Sequence, residues 1–166
     1  MQTRSMKFCP KCAAPLAPKI SGGRERLSCS AEGCDYVFWG NPVPVVAAIL
    51  EYKTEVILVR NVGWPLEWYG LVTGYLEANE TPEEAVLREV KEEMGLEGKV
   101  ISLVGAYSFS RKNEVIIAYH VKGSGEILMG EELADYKLVP PAKLKPWPSG
   151  TGHALRDWLR SRELTG

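Results

Sequence analysis

The chain reads as an α/β protein in which a mixed sheet lies between helical layers, preceded by a small cysteine-bearing module. Three observations point there. Apolar runs of strand length recur from Val45 to Val139, two helical patterns break or close the series, and all four cysteines fall within the first 34 residues. Strands interrupted by amphipathic helices suit a layered sheet with helices on its faces. At 166 residues, 45% hydrophobic and 25% charged, the sequence holds one ordinary domain and a small module besides. It has no apolar run of about 18 residues and no signal-peptide pattern, so a cytoplasmic setting without membrane contact is expected. A net charge of −1 gives no global pull toward nucleic acid or anionic lipid.

The module comes first. Cys9-Pro10-Lys11-Cys12 is followed by Cys29 and Cys34, that is C-x2-C, sixteen residues, C-x4-C. Both short gaps suit tetrahedral thiolate ligation of Zn²⁺, and Gly33 before the last cysteine suits a tight turn. Two disulfides are the competing reading, which the missing export signal disfavours. Some forty residues rich in Lys, Arg, Gly and Pro bury little core, so a metal would supply the folding energy. The pattern resembles a zinc ribbon, with the C-x4-C gap wider than the commonest C-x2-C. Four thiolates leave no open coordination position, so the zinc is expected to be structural. Asn41-Pro42-Val43-Pro44 interrupts the pattern, dividing the chain into a module at 1–40 and a domain at 41–166.

Beyond the boundary, Val45 to Leu50 and Glu55 to Arg60 flank a Tyr52-Lys53-Thr54 turn and predict a hairpin. Leu71 to Tyr75 reads as a strand, as do Val100 to Ser108, Val115 to Val121 and Tyr136 to Val139. Gly150 to Arg162 reads as a terminal helix whose Leu155, Trp158 and Leu159 share one face, with Thr151 a candidate N-cap.

The intervening helix carries the chemistry. Thr81 as N-cap, Pro82 at the first helical position and Glu84 closing a capping box predict its start, and Gly95 suits its left-handed end. Val86, Leu87, Val90 and Met94 form the apolar stripe of a helix over 82–94. Glu89, Glu92 and Glu93 crowd the other side. Like charges one turn apart destabilise an isolated helix by about 0.2–0.5 kcal/mol per pair, and Arg88 and Lys91 offset only part of that. A divalent cation resolves the conflict, because hard Mg²⁺ prefers carboxylate oxygens and bridges them to phosphates.

Residues 74 to 96 read GYLEANETPEEAVLREVKEEMGL: Gly74, five residues, Glu80, seven residues, then Arg88-Glu89-Val90-Lys91-Glu92-Glu93-Met94-Gly95-Leu96. Every fixed position of the Nudix signature is matched, and the segment resembles that family's box without a gap. The resemblance implies an α/β/α sandwich and metal-dependent cleavage of a diphosphate linkage. It implies Glu89, Glu92 and Glu93 as ligands of Mg²⁺ or Mn²⁺, with the Gly74 carbonyl able to join them. Glu80 and Arg88 would brace the box loop against the helix. Family members usually add a carboxylate some forty residues past the box. Here Met129-Gly130-Glu131-Glu132-Leu133 stands at that distance, with Glu132 as extra ligand or general base and Glu131 second.

The order of ribbon and domain, with Leu71-Val72-Thr73-Gly74-Tyr75-Leu76-Glu77, resembles NADH pyrophosphatases, which favours a homodimer. That subfamily marks itself with Ser-Gln-Pro-Trp-Pro-Phe-Pro-x-Ser shortly after the box. This chain has Gly105-Ala106-Tyr107-Ser108-Phe109-Ser110-Arg111-Lys112-Asn113 there. The expected substrate is therefore a nucleoside diphosphate linked to another moiety, of the ADP-ribose, ADP-sugar, NADH or FAD type, giving two monophosphates. Tyr75 is a candidate to stack on the base, or else a core tyrosine. Arg60, Arg111 and Lys112 are candidate phosphate contacts, and Phe109 and Tyr107 candidate pocket walls. Two alternatives stand: triphosphate pyrophosphohydrolysis by the same box, and a nucleic-acid-binding or sensor role. For the latter, residues 1–40 carry six basic against three acidic residues, with Phe8, Tyr36, Phe38 and Trp39 nearby. His120 and His153 are assigned no chemistry.

Overall fold

The computed structural model describes residues 6–165, and the chain divides into two compact units, one ending at Asn41 and the other beginning at Pro42. In the first, β1 (Leu16–Ser21) and β2 (Arg24–Cys29) pair antiparallel, with Ser21 opposite Arg24. Gly22 and Gly23 both adopt positive φ, 58° and 74°, which a two-residue hairpin turn of this hand requires. Residues 36–38 extend the pair through a Ser28–Val37 bridge and a 2.8 Å bond from Phe38 N–H to the Leu27 carbonyl. Among the described residues of this unit only Cys9, Ser28 and Cys29 are buried.

The second unit is a three-layer α/β/α structure. Its strands are β3 (Val43–Tyr52), β4 (Glu55–Asn61), β5 (Val72–Tyr75), β6 (Glu97–Phe109), β7 (Glu114–Ser124) and β8 (Leu133–Val139). Its helices are α1 (Pro82–Met94) and α2 (Thr151–Thr165), with a 3₁₀ turn at Pro141–Lys143. The six-stranded sheet runs β6-β7-β3-β4-β8, with β5 also paired to β3. The sheet is mixed because β3 and β7 run parallel from Val43–Glu114 to Tyr52–Gly123, while the other pairs are antiparallel. β3 and β4 share only the rungs Glu51–Val56 and Tyr52–Glu55. β5 then takes the place beside β3, from Ala48–Val72 to Val45–Tyr75, and so delivers the residues after Gly74 from the middle of the sheet.

β3 shows why the layers form. Val46, Ala48 and Leu50 face α1, against Ala85, Val86, Val90 and Met94, while Val45, Ala47 and Ile49 face α2, against Ala154, Leu155 and Trp158. A strand buried on both faces reads as a continuous apolar run, as this one does. Fully burying a Leu or Val side chain contributes about 1.5–3 kcal/mol, so each helix is held mainly by its apolar stripe. The stripe on α1 is narrower than the spacing predicts, since Leu87 is only half-buried.

Helix α1 begins as expected. Thr81, at φ −79° and ψ 158°, accepts from Glu84 N–H at 3.2 Å, while Thr81 N–H donates to the Glu84 carboxylate at 2.7 Å. It ends at Gly95 in the left-handed region, φ 70°, where a Cβ would also come within 2.8 Å of the Leu128 Cβ. Thr151 is the first residue of α2, not its N-cap. Bonds from Gly152 N–H to the Ser149 carbonyl (3.1 Å) and from His153 N–H to the Gly150 carbonyl (3.3 Å) start the turn earlier. Strands β6 and β8 are longer than their apolar runs because backbone pairing continues through polar residues at both ends, as at Glu97–Ser124 and Arg60–Asp135.

Candidate active site

The box loop, α1 and the loop before β8 meet around an acid-lined cavity of about 610 Å³. Glu77, Glu89, Glu92, Glu93, Glu131 and Glu132 line it, against the single cation Arg88 among the described residues. The convergence follows from local backbone demands. A Cβ on Gly74 would lie 1.8 Å from Glu89 Oε1, so only glycine lets that carboxylate rest against the strand end. The last carbonyls of α1 are capped by the incoming loop: Leu128 N–H bonds to the Met94 carbonyl and Gly130 N–H to the Glu93 carbonyl, each at 2.9 Å. A Cβ on Gly130 would meet the Glu92 carbonyl oxygen at 2.5 Å. These bonds satisfy orphan groups of the helix end and place Glu131 and Glu132 beside the helix glutamates.

Arg88 organises the rim. Its guanidinium bonds Glu80 through Nε (3.0 Å) and Nη2 (2.8 Å), Glu89 through Nη1 (2.7 Å), Glu92 at 3.2 Å and the Tyr75 carbonyl at 3.1 Å. Glu80 also accepts from Glu77 N–H at 2.7 Å, and the Arg88 bond holds its carboxyl below the usual range. Glu93 is the outlier. It is 5% exposed, and its Oε2 has no hydrogen-bond partner among the described residues. Burial first, then the charges of Glu89 and Glu132, push its carboxyl up to about 8. Burial likewise raises Glu89, against the pull of Arg88. A buried carboxylate oxygen without a donor, among like charges, is a site that fits a cation. Cation binding at Glu89 and Glu92 would compete with Arg88 for the same oxygens.

On the α2 side lies a second cavity, about 860 Å³ and mainly apolar, with Trp64, Trp68, Phe109 and Trp147 among its walls. Thr73 lines both cavities. The structure distributes the predicted contacts unevenly between them. Tyr75 is 60% exposed and lines the acidic cavity, so it is not a core tyrosine. Phe109 and Lys112 line the apolar one. Tyr107 lines neither, because its hydroxyl is bound to Asp157 of α2 at 3.1 Å, and Arg111 is exposed at the β6–β7 turn. Arg60 lies two residues beyond the cavity residue Leu58 on the same strand face; its Nε is buried without a partner among the described residues, and its ion pair to Asp135 is long at 3.9 Å. The tryptophans and Gly130 escaped sequence reasoning. Three tryptophans in segments assigned to no helix or strand were the available signal.

In the first unit, the sulfurs of Cys9, Cys12, Cys29 and Cys34 all lie within 4.8 Å of one another. The closest pairs, Cys12–Cys29 at 3.4 Å and Cys9–Cys34 at 3.8 Å, are far beyond disulfide length. Lys11 N–H and Ala31 N–H each donate at 3.4 Å to the sulfur two residues back. Such bonds favour thiolates, so the donor set fits a tetrahedral metal. The box carboxylates do not close to that extent among the described residues.

The family model of the NUDIX domain matches residues 40–159. The chain belongs to the Nudix family. An ADP-ribose pyrophosphatase of Methanocaldococcus jannaschii is 40% identical over 132 residues, covering 75% of this chain and 78% of that protein. The NAD-capped RNA hydrolase NudC of Pseudomonas putida is 27% identical over 165 residues, covering 97% of this chain. This Nudix chain spans only 58% of that relative's length. A crystal structure of a NUDIX hydrolase from Nitrosomonas europaea superposes with a TM-score of 0.79 at 24% identity, covering 96% of this chain and 93% of that one, which supports the fold.

Proposed function

We propose that this chain hydrolyses the diphosphate linkage of a nucleoside diphosphate joined to another moiety. The observation that carries the reading is Glu93: a buried carboxylate whose Oε2 meets no donor among the described residues, in an acid-lined cavity that shares Thr73 with an aromatic-walled one. Glu89, Glu92 and Glu93, with the Gly74 carbonyl, would hold Mg²⁺ or Mn²⁺. The bound cation supplies charge neutralisation on the phosphate oxygens and a more acidic water. The chain's own groups do the rest. Arg88 fixes the carboxylate of Glu89, and Glu132 would accept the proton of the attacking water. The nucleoside would occupy the apolar cavity, its base against Trp64 or Trp147, with Arg60 offering an under-partnered guanidinium to an anionic group. Tyr75 would contact the group on the other side of the diphosphate.

Residues 1–40 would form a structural zinc ribbon carrying Zn²⁺ on Cys9, Cys12, Cys29 and Cys34. A second reading has this module bind an RNA chain. Its support is a row across the small sheet: Lys19 pairs with Arg26, whose guanidinium lies 4.7 Å from the ring centroid of exposed Trp39. The electrostatics weaken it. Zinc on four thiolates carries a formal charge of −2, which lowers the module's +3 from Lys and Arg over Asp and Glu to about +1.

One screen tests both readings: purified protein with Mg²⁺ or Mn²⁺ against ADP-ribose, NADH, FAD, diadenosine polyphosphates, triphosphates and an NAD-capped oligoribonucleotide, with products identified. Two monophosphates from ADP-ribose or a related compound are expected. Pyrophosphate release from a triphosphate would move the assignment to the triphosphate reading. Preference for the capped oligonucleotide over NADH would revive the RNA-binding role, and no turnover of any compound would end the hydrolase proposal.

A further inference from the structure

The loop between β4 and β5 places four large apolar residues, Val62, Trp64, Leu66 and Trp68, in solvent at every second position, Leu66 being 77% exposed. The loop is nonetheless ordered by its own bonds. Val59 and Gly70 exchange both backbone hydrogen bonds at 2.9 Å across its neck. Trp64 N–H returns to the Asn61 carbonyl at 3.1 Å and Trp68 N–H to the Pro65 carbonyl at 3.0 Å. The Trp64 indole lies across Gly70, where a Cβ would meet it at 3.4 Å. Trp64, Trp68 and Tyr69 form one wall of the apolar cavity.

The same loop is tied twice to the start of β8, where the acidic loop ends. Val62 N–H donates to the carbonyl of Glu132 at 2.9 Å, one rung past the irregularity at Arg60 and Asn61. The Tyr69 hydroxyl donates to the Asp135 carboxylate, and Lys137 lies 3.8 Å from the centroid of the Tyr69 ring. The wall of the apolar cavity and the backbone of Glu132 therefore belong to one hydrogen-bonded unit.

We propose that Trp64 is a specificity-determining and positioning residue: the ordered loop couples an aromatic group seated against Trp64 to the position of Glu132 through Val62. This rests on the hydrolase reading and on the role of Glu132 in it. The physical consequence is that binding energy from the part of the substrate remote from the phosphates is realised in the chemical step, so its loss lowers kcat as well as raising KM. A cavity wall that merely bound the base would change KM alone.

The test is a double-mutant cycle on the substrate the wild type turns over best, using Trp64→Ala, Glu132→Gln and both together, with Trp64→Phe as the conservative variant. Trp64→Ala is expected to lower kcat about tenfold or more. In the Glu132→Gln background the same change is expected to alter kcat by less than about twofold, because coupled residues are not additive. Trp64→Phe should recover most of the loss. The proposal is overturned by a change in KM alone, by losses that multiply in the double variant, or by Trp64→Phe performing no better than Trp64→Ala. Glu132→Gln with unchanged kcat would also overturn it while leaving the hydrolase reading intact, whereas an inactive wild type would sink both. Thermal unfolding of each variant separates loss of fold from loss of coupling.

Discussion

The two units of this chain set their candidate metal-ligating groups in opposite surroundings. The first buries two cysteines and a serine among its described residues and has no apolar core to hold its strands. The second packs two apolar clusters on the faces of a six-stranded sheet and uses that rigidity to hold a carboxylate that burial disfavours. In the one, four sulfurs gathered within 4.8 Å take the place of a core. In the other, the core forces Glu93 into a position that only a cation or a proton makes comfortable. One metal would build its unit, and the other would be bound by a unit already built.

The largest expected effect breaks this contrast at the first unit. Structural zinc contributes an apparent binding free energy of about 10–16 kcal/mol in small modules, far more than a two-stranded hairpin supplies itself. Cys29→Ser should abolish a one-to-one zinc content by elemental analysis and erase amide-exchange protection in β1 and β2. Protection in β3 and β7 should be unchanged. Persisting protection across Leu16–Ser21 in the metal-free variant would show that the unit folds without its thiolate site, and the contrast would collapse.

The next effect sharpens the contrast at the second unit. Glu93→Gln keeps the shape of the side chain and removes the charge. It should lower kcat about a thousandfold, some 4 kcal/mol, at saturating Mg²⁺. The metal-free fold should be as stable as the wild type or more so, because a buried like-charge conflict is gone. Near-normal turnover would refute Glu93 as a metal ligand. A large drop in Tm would mean instead that the carboxylate is part of the scaffold.

Much of this arrangement could be read from residues alone, for identifiable reasons. Thr81, Pro82, Glu84 and Gly95 act through local backbone geometry, so the limits of α1 were visible without any tertiary knowledge. The box carboxylates share a helix and its spacing. Strand ends were less legible, since pairing with a neighbour decides them: β8 begins at Leu133 because Asn61 and Arg60 offer partners. The link from Gly130 to the end of α1 was invisible, as it depends on a close approach between segments more than thirty residues apart. The same holds for the aromatic cavity. Its walls come from five separate stretches of chain, and no periodicity joins them. No sequence spacing marks His120, yet β3 and α2 both converge on it.

His120 supports the smallest prediction, which concerns how the second unit is held together without metal. Its Nε2 lies 2.9 Å from Glu51 Oε2, which also accepts from Arg162 Nη1 of α2 at 3.1 Å, and Trp158 packs at 5.3 Å between ring centroids. The cluster thus joins β3, β7 and α2. Burial depresses the His120 pKa; Glu51 opposes this, while Arg162 and Lys122 add to it. A histidine held neutral in the fold and free to charge when unfolded stabilises fully above its unfolded pKa of about 6.5 and loses that contribution as pH falls below it. The wild-type Tm should therefore fall more steeply between pH 7.5 and 5.5 than that of His120→Gln, which cannot take up the proton. Parallel slopes would show that the Glu51 carboxylate compensates the imidazolium fully.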